Sequence, residues 1–397
     1  MSASMNPFDT LAARGFIHQC TDEAALRAAL DAGPITFYAG FDPSAPSLHV
    51  GSAVPLLAMS HLSRAGHRCI GVVGGGTMMV GDPSGRDATR ELLTPEKIEV
   101  NKVGLRRQIL QYAGGELVDN ADWLLGLKYV EFLRDIGVHF SVNRMIASEG
   151  AKQRLDRDQG LSFIEFNYSL LQAYDFLELN RRYGCTLQIG GGDQWFNIVS
   201  GVDLIRRMGQ GHAYGLTLPL LTTATGAKMG KTASGAVWLD PDLCSPYDFY
   251  QYWVNVHDDD VERFLKMFTY VDLAEVPAIV AGDIREAKRR LALEATTVIH
   301  GASAAHAAAE AARAAFSGGV AADMPSWHTT FPVQVVTALH GSGLAKSRGD
   351  ARRLIEGGGV ALGEHRVTDV NAVIDGDVVL WAGKKRAVHV VAEGTGS

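Results

Sequence analysis

The stretch ITFYAGFDPSAPSLHVGSAVPLLAMSHLSRAGHRCIGVVGGG, Ile35 to Gly76, decides the fold. An apolar run with little alternation, a helix-like crossover and a second apolar run ending in glycines make a βαβ unit. Such runs suit parallel strands buried on both faces, and glycine-rich loops at their carboxyl ends mark the edge where open α/β sheets bind ligands. The runs ELVDNADWL and CTLQIGGGDQW continue the pattern, and the helical stretch between them, from about 127 to 182, is long enough to be an insertion. Residues 1–243 are therefore expected to form one Rossmann-like α/β domain with a helical insertion. From Ser245 to about Phe316 the composition turns helical, through SPYDFYQYWVNV and the Ala-rich AHAAAEAARAAF, which predicts an all-helical domain over 244–325. SGGVAADMPSWHTTFP reads as a linker rich in Gly, Pro and small residues, and a small α+β domain follows over 332–397.

Bulk composition is that of an ordinary globular chain. At 397 residues, 47% hydrophobic and 20% charged, it is long enough for two or three domains with a sizeable core. No apolar run approaches the ~18 residues of a membrane span, and MSASMNPFDTLAARGF lacks the layout of a signal peptide, so a cytoplasmic chain with no membrane partner is expected. Cys20, Cys69, Cys185 and Cys244 show no C-x-x-C pairing and read as buried thiols. A net charge of −7 argues against a surface coated for non-specific nucleic-acid binding, so any RNA contact must be localised.

Four stretches carry chemistry. GAKMGKT, Gly226 to Thr232, resembles the end of a phosphate loop, but three residues, not four, separate its glycines, so the P-loop pattern fails. Its two lysines, three apart in a Thr-rich segment, still suit triphosphate oxygens. In FDPSAPSLHVG, Ser47 is the expected N-cap, which puts His49 and Ser52 in the first helical turn beside unpaired backbone donors. In LSFIEFNYSLLQAYDF, Ser162 and Glu165 fit a capping box, and the spacing of Tyr168, Gln172 and Asp175 lines one helix face able to ring a small zwitterion. LQIGGGDQWFN ends an apolar run in glycines followed by Asp193 and Gln194, where an acid can meet ribose hydroxyls. Taken singly, each has a plain alternative: a solvated turn, a helix cap, a solvent-facing stripe.

In this order, YAGFDPSAPSLHVGS, VGDPSGRDATR, YSLLQAYDF, IGGGDQWFN and KMGKT resemble five segments of the bacterial-type tyrosyl-tRNA synthetases, which are class I aminoacyl-tRNA synthetases. The resemblance spans nearly the whole chain. It implies activation of L-tyrosine by ATP to tyrosyl-adenylate and pyrophosphate, then transfer to the terminal ribose of tyrosine tRNA. ATP with Mg²⁺ is then a substrate, with no tightly bound cofactor and no protein metal site, and the chain is expected to be a homodimer. The tyrosine carboxylate is already ionised and needs no general base, so catalysis should rest on positioning and on stabilising phosphoryl charge.

Carried over residue by residue, the resemblance implies that His49, Arg86, Lys228 and Lys231 act catalytically around the phosphates, with Arg90 a secondary candidate. Arg86 stands where relatives can carry Lys. Tyr38 and Asp175 fall at the substrate phenol, Asp82, Tyr168 and Gln172 around its ammonium group, and Gln194 near its carboxylate. Gly40, Asp42, Ser52, Gly192 and Asp193 lie along ATP with His49, Lys228 and Lys231. Two departures are visible: Ser52 replaces the second histidine of the family's motif, and Ala39 stands where relatives can have Cys. Pro55 is also unusual inside the expected helix. SGLAKSRGDARRLIEGGGVALGEHRVTDV resembles the alpha-L RNA-binding module. Its helix gathers Ala351, Leu354 and Ile355 on one face, leaving Lys346, Arg348 and Arg352 for RNA phosphates. A tryptophanyl-type synthetase and a catalytically inactive RNA-binding relative remain the alternatives.

Overall fold

The structure, a computed structural model, describes residues 5–82, 93–156, 161–224, 226, 229, 231–232, 235–316, 324–363, 365–383 and 386–393, excluding the side chains of 153, 154, 156, 231, 232, 315 and 316. The predicted βαβ unit is its centre. Strands β1 Gln19–Cys20, β2 Thr36–Phe41, β3 Arg68–Val73, β4 Glu116–Asp119, β5 Cys185–Gly191 and β6 Tyr214–Leu218 form one sheet in the order β1-β6-β5-β2-β3-β4. All neighbours pair in parallel except β1, which is antiparallel to β6. The chain runs outward from β2 to β4, then returns to β5 on the other side of β2. The strand order therefore switches between β2 and β5, whose carboxyl ends flank a crevice of the kind that holds ligands in open α/β sheets. Five of the six β3 residues are buried, as the unalternating run demands.

The crossover from β2 to β3 is the helix Val50–Arg64, which accommodates Pro55 within it. Its N-cap is His49, not Ser47. The His49 Nδ1 accepts the Gly51 N–H at 3.0 Å, while Ser47 is buried, donating to the Leu48 carbonyl at 2.8 Å and accepting from Gln108. A buried hydroxyl with two nearby partners has no reason to cap, and the imidazole two residues later takes the role. The capping box at Ser162 is present, but the helix it opens is only Phe163–Phe166; after Asn167 a second helix runs Tyr168–Tyr183. Cys69 and Cys185 are buried and Cys20 and Cys244 only partly so.

The chain divides into two compact units: Met1–Cys244 with Val256–Ala287, and Ser245–Asn255 with Lys288–Ser397. In the first, Arg14 is buried and its guanidinium donates to the carbonyls of Lys266, Thr269 and Val271 at 2.9–3.0 Å, closing off the end of the helix Val261–Phe268. The second contains a five-stranded sheet covered by the helices Val335–Gly341 and Arg348–Glu356. One of its edges is Ser326–Thr329, parallel to Arg386–Ala392. The stretch read as a linker thus contributes a strand, because Trp327 packs on the core of this unit and the backbone around it pairs. Among the described residues, no helix is long and apolar enough to cross a membrane.

Candidate active site

At the floor of the crevice, Tyr38 on β2 stands in register with Gln188 on β5 and Ile70 on β3. Residues in register on neighbouring strands share a face, and here that face is covered by the helix Tyr168–Tyr183 through Ala173 and Phe176. Tyr38 and Gln188 are each 2% exposed, and the Tyr38 hydroxyl and Gln188 Oε1 have no hydrogen-bond partner among the described residues. Buried polar atoms are ordinarily paired, so two orphans on one wall mark a place built for a polar guest. Burial, reinforced by the nearby Asp175 carboxylate, pushes the Tyr38 phenol well up, so it stays protonated.

Asp175 is 4% exposed, and burial pushes its carboxyl up to about 7 against the pull of two hydrogen bonds. Those bonds come from Trp123 Nε1 to Oδ1 at 2.7 Å and from Asn120 Nδ2 to Oδ2 at 2.9 Å. Asn120, directly after β4, uses every valence: Oδ1 accepts the Gly76 and Thr77 N–H groups, and Nδ2 also donates to Thr77 Oγ1. Thr77 Oγ1 in turn donates to Asp42 at 3.3 Å and hydrogen-bonds with the Tyr168 hydroxyl. One connected network thus joins the ends of β2, β3 and β4 to the helix stripe. Sequence reasoning missed Asn120, Trp123, Thr77 and Gln188. The DNADW run directly after a strand was the available signal for the first two.

The glycines after β3 make room for this network. A Cβ at Gly74 would collide with Asp42 and Thr77, and one at Gly75 with Asp119 and Lys102. Lys102 and Asp119 form a buried ion pair at 2.7 Å over that backbone, with Glu99 on the same ammonium at 2.5 Å. Burial alone would lower the Lys102 pKa, but hydrogen bonds to Asp119 and Glu99 outweigh it and hold the ammonium charged.

Of the residues expected at the site, Tyr38, Asp42, Tyr168, Asp175, Asp82 and Gln194 are brought together. Gln194 Nε2 donates to Asp82 at 2.7 Å, and Asp42, Asp82 and Asp175 all act electrostatically on Tyr168. Gln172 lies on the stripe and is half-buried; Gly40 is exposed at the end of β2. Gly192 and Asp193 form a 3-10 turn at the end of β5, with the His18 ring close against Gly192. They line a cavity of about 1010 Å³ together with Glu165, Ser169 and Asn197. Ser52 is half-buried, its N–H on the His49 carbonyl at 2.7 Å. Arg86, Arg90 and Lys228 lie outside the described residues, as does the side chain of Lys231, whose backbone forms the strand Lys231–Thr232. Met229 is buried with its carbonyl near Gly51, and Val237–Leu239 pairs with Leu48–Val50 in an antiparallel bridge. Within GAKMGKT, Met229 thus lies beside the N-terminus of the His49-capped helix.

A family model described as tRNA synthetases class I (W and Y) matches residues 30–317, and an S4 domain model matches 335–380. A tyrosine–tRNA ligase of Desulfosudis oleivorans is 55% identical over 76% of this chain and 71% of its own length. One from Treponema denticola is 47% identical over 95% of this chain and 97% of its own. The chain belongs to the class I tyrosine–tRNA ligases. As such a ligase it joins tyrosine to tRNA with ATP as co-substrate, and of the two amino acids served by the family model, these relatives decide for tyrosine. The ligase fold recurs in a C-terminally truncated mitochondrial tyrosyl-tRNA synthetase of Aspergillus nidulans, with 31% identity and a TM-score of 0.71 over 79% of this chain and 94% of that one.

Proposed function

We propose that the buried wall of Tyr38, Asp175 and Gln188 receives the phenol of tyrosine, which accepts from the Tyr38 hydroxyl and donates to the Asp175 carboxylate. The orphaned Tyr38 hydroxyl carries this reading. Phenylalanine in the same place would leave both partners buried and unpaired, and tyrosyl enzymes are the usual illustration of how strongly that discriminates. The amino-acid ammonium takes the acceptors Asp82, Tyr168 and Gln172, displacing Gln194 from Asp82 so that its amide meets the carboxylate.

ATP then lies along Gly40, Asp42, Ser52, Gly192 and Asp193, entering with Mg²⁺ as its counter-ion. With Nδ1 of His49 accepting from Gly51, a neutral ring carries its proton on Nε2, the donor that a phosphate oxygen requires. Arg86, Lys228 and Lys231 supply charge as pyrophosphate leaves. The cavity beside Asp193 supports approach of the terminal tRNA ribose from that side. In the second unit, Lys346, Arg348 and Arg352 are exposed around the first turns of the helix Arg348–Glu356, while Ala351 and Ile355 are buried. This supports contact with tRNA phosphates by 332–397, and we assign 244–325 to the anticodon end. Apolar side chains left exposed on the insertion, among them Val130 at 76% and Phe163 at 69%, support a homodimer through that surface. The reaction belongs to the cytoplasm.

ATP–pyrophosphate exchange measured with tyrosine and phenylalanine tests the central reading. Exchange should depend on tyrosine, and Asp175→Ala should narrow the ratio of the two specificity constants. An unchanged ratio in a folded variant would remove Asp175 from the phenol.

A further inference from the structure

Asp260 closes the 3-10 turn Asp258–Asp260, which His257 caps by accepting the Asp259 N–H, and leads straight into the helix Val261–Phe268. Its side chain, 3% exposed, reaches to another part of the chain. Its Oδ2 accepts the backbone N–H of Ala224 at 2.9 Å, and its Oδ1 pairs with Arg263 at 2.6 Å. Arg263, one turn into the helix, donates at 2.6 Å to the carbonyl of Thr222. Two charged side chains thus hold both polarities of a three-residue backbone segment that lies 36 residues earlier in the chain. Beyond that grip, the Leu221 carbonyl accepts the Met229 N–H at 3.0 Å, and the Met229 carbonyl lies against Gly51 at the N-terminus of the His49-capped helix.

We infer that Asp260 and Arg263 are positioning residues for ATP chemistry: they fix the limb Leu221–Ala224, and through the Leu221–Met229 bond they set Met229 against the helix terminus where the triphosphate reacts. The inference rests on the reading of that terminus and of Lys231 as the phosphate-handling parts. The grip differs from simple surface pairing because Asp260 is buried and bonds to backbone, so it fixes where the chain runs and not merely where a side chain points.

The test compares Asp260→Ala, Arg263→Met and Lys231→Ala, singly and with Asp260→Ala and Lys231→Ala combined, in the full-length protein. Three quantities are read: single-turnover adenylate formation at saturating tyrosine and ATP, equilibrium tyrosine affinity, and hydrogen exchange at the Ala224 and Met229 amides. Asp260→Ala should slow adenylate formation by roughly 10–100-fold, the scale of a misplaced reacting group. Tyrosine affinity should hold, and both amides should exchange faster. Arg263→Met should follow in the same direction, and Asp260→Glu should recover part of the rate. In the Lys231→Ala background, Asp260→Ala should add little, because the placement of Met229 acts on catalysis through the lysine two residues on, and that lysine is gone. A normal rate in folded Asp260→Ala, a matching loss of tyrosine affinity, or full additivity with Lys231→Ala overturns the inference. If Lys231→Ala alone is harmless, it is the lysine reading that fails.

Discussion

Asp175 sits between an indole N–H and an amide N–H, so both carboxylate oxygens face donors. An asparagine there would turn an amino group toward one of them, which is why an acid is needed although burial raises its pKa to about 7. That shift has a measurable sign. If, as proposed, the phenol donates to the ionised form, tyrosine binding draws only on the ionised fraction, and affinity should fall as pH drops through 7. The dissociation constant should be level above about pH 8 and climb toward about tenfold per unit below about pH 6, with Asp175→Asn losing the dependence. Equilibrium tyrosine binding across this range measures it, and a flat profile in the native protein means the carboxyl is not the group that titrates. Tyr168, Gln172 and Asp175 could be read from the sequence because helical spacing alone puts them on one stripe. Asn120 and Trp123 could not, since they reach Asp175 across more than 50 residues and only the strand order brings them there.

Among the elements, the helix Val50–Arg64 shows where local pattern succeeds and stops. Its existence and its ligand-facing end follow from the apolar crossover, but its cap was misplaced by two residues because Ser47 is drawn inward by Gln108, a contact 61 residues distant. With His49 as the cap, His49→Ala removes a helix cap and, on the proposed reading, a phosphate donor. Adenylate formation should fall by about 2–4 kcal/mol in barrier terms, whereas Ser52→Ala should cost under ~1 kcal/mol. Pre-steady-state rates give the order, and equal losses would restore to Ser52 the role of the histidine it replaces. The glycine run after β3 is likewise legible as a close approach but not as an approach of what. Gly75→Ala should force Lys102 from Asp119 and cost about 3–5 kcal/mol, as when a buried pair is broken. Urea unfolding reports this directly, and an unchanged midpoint would show that the pair can shift aside.

At the scale of the molecule, the succession of α/β, helical and small C-terminal parts was visible as changes in composition. The division into compact units was not, because it depends on which helices pack with which core. Tyr247, Ala311 and Met324 pack with Val379 and Trp381, so cutting off 332–397 would bare an apolar surface. Reversing Lys346, Arg348 and Arg352 to Glu is the cleaner probe of the RNA face. It should leave tyrosine-dependent exchange intact, raise the KM for tRNA and flatten the salt dependence of tRNA binding; loss of exchange as well would point to a structural role. The interleaving of the units also orders events on the ribosome. The sheet of the first unit is complete once Leu218 has emerged, but Asp260, Arg263 and the carbonyls awaited by Arg14 come only after Ser245–Asn255, a piece of the other unit, has been laid down. At roughly 5–20 residues per second the delay is on the order of seconds. A nascent first unit therefore closes from the late-made helix Val261–Phe268 back onto its fourteenth residue, and the grip on Thr222–Ala224 is among the final properties it acquires.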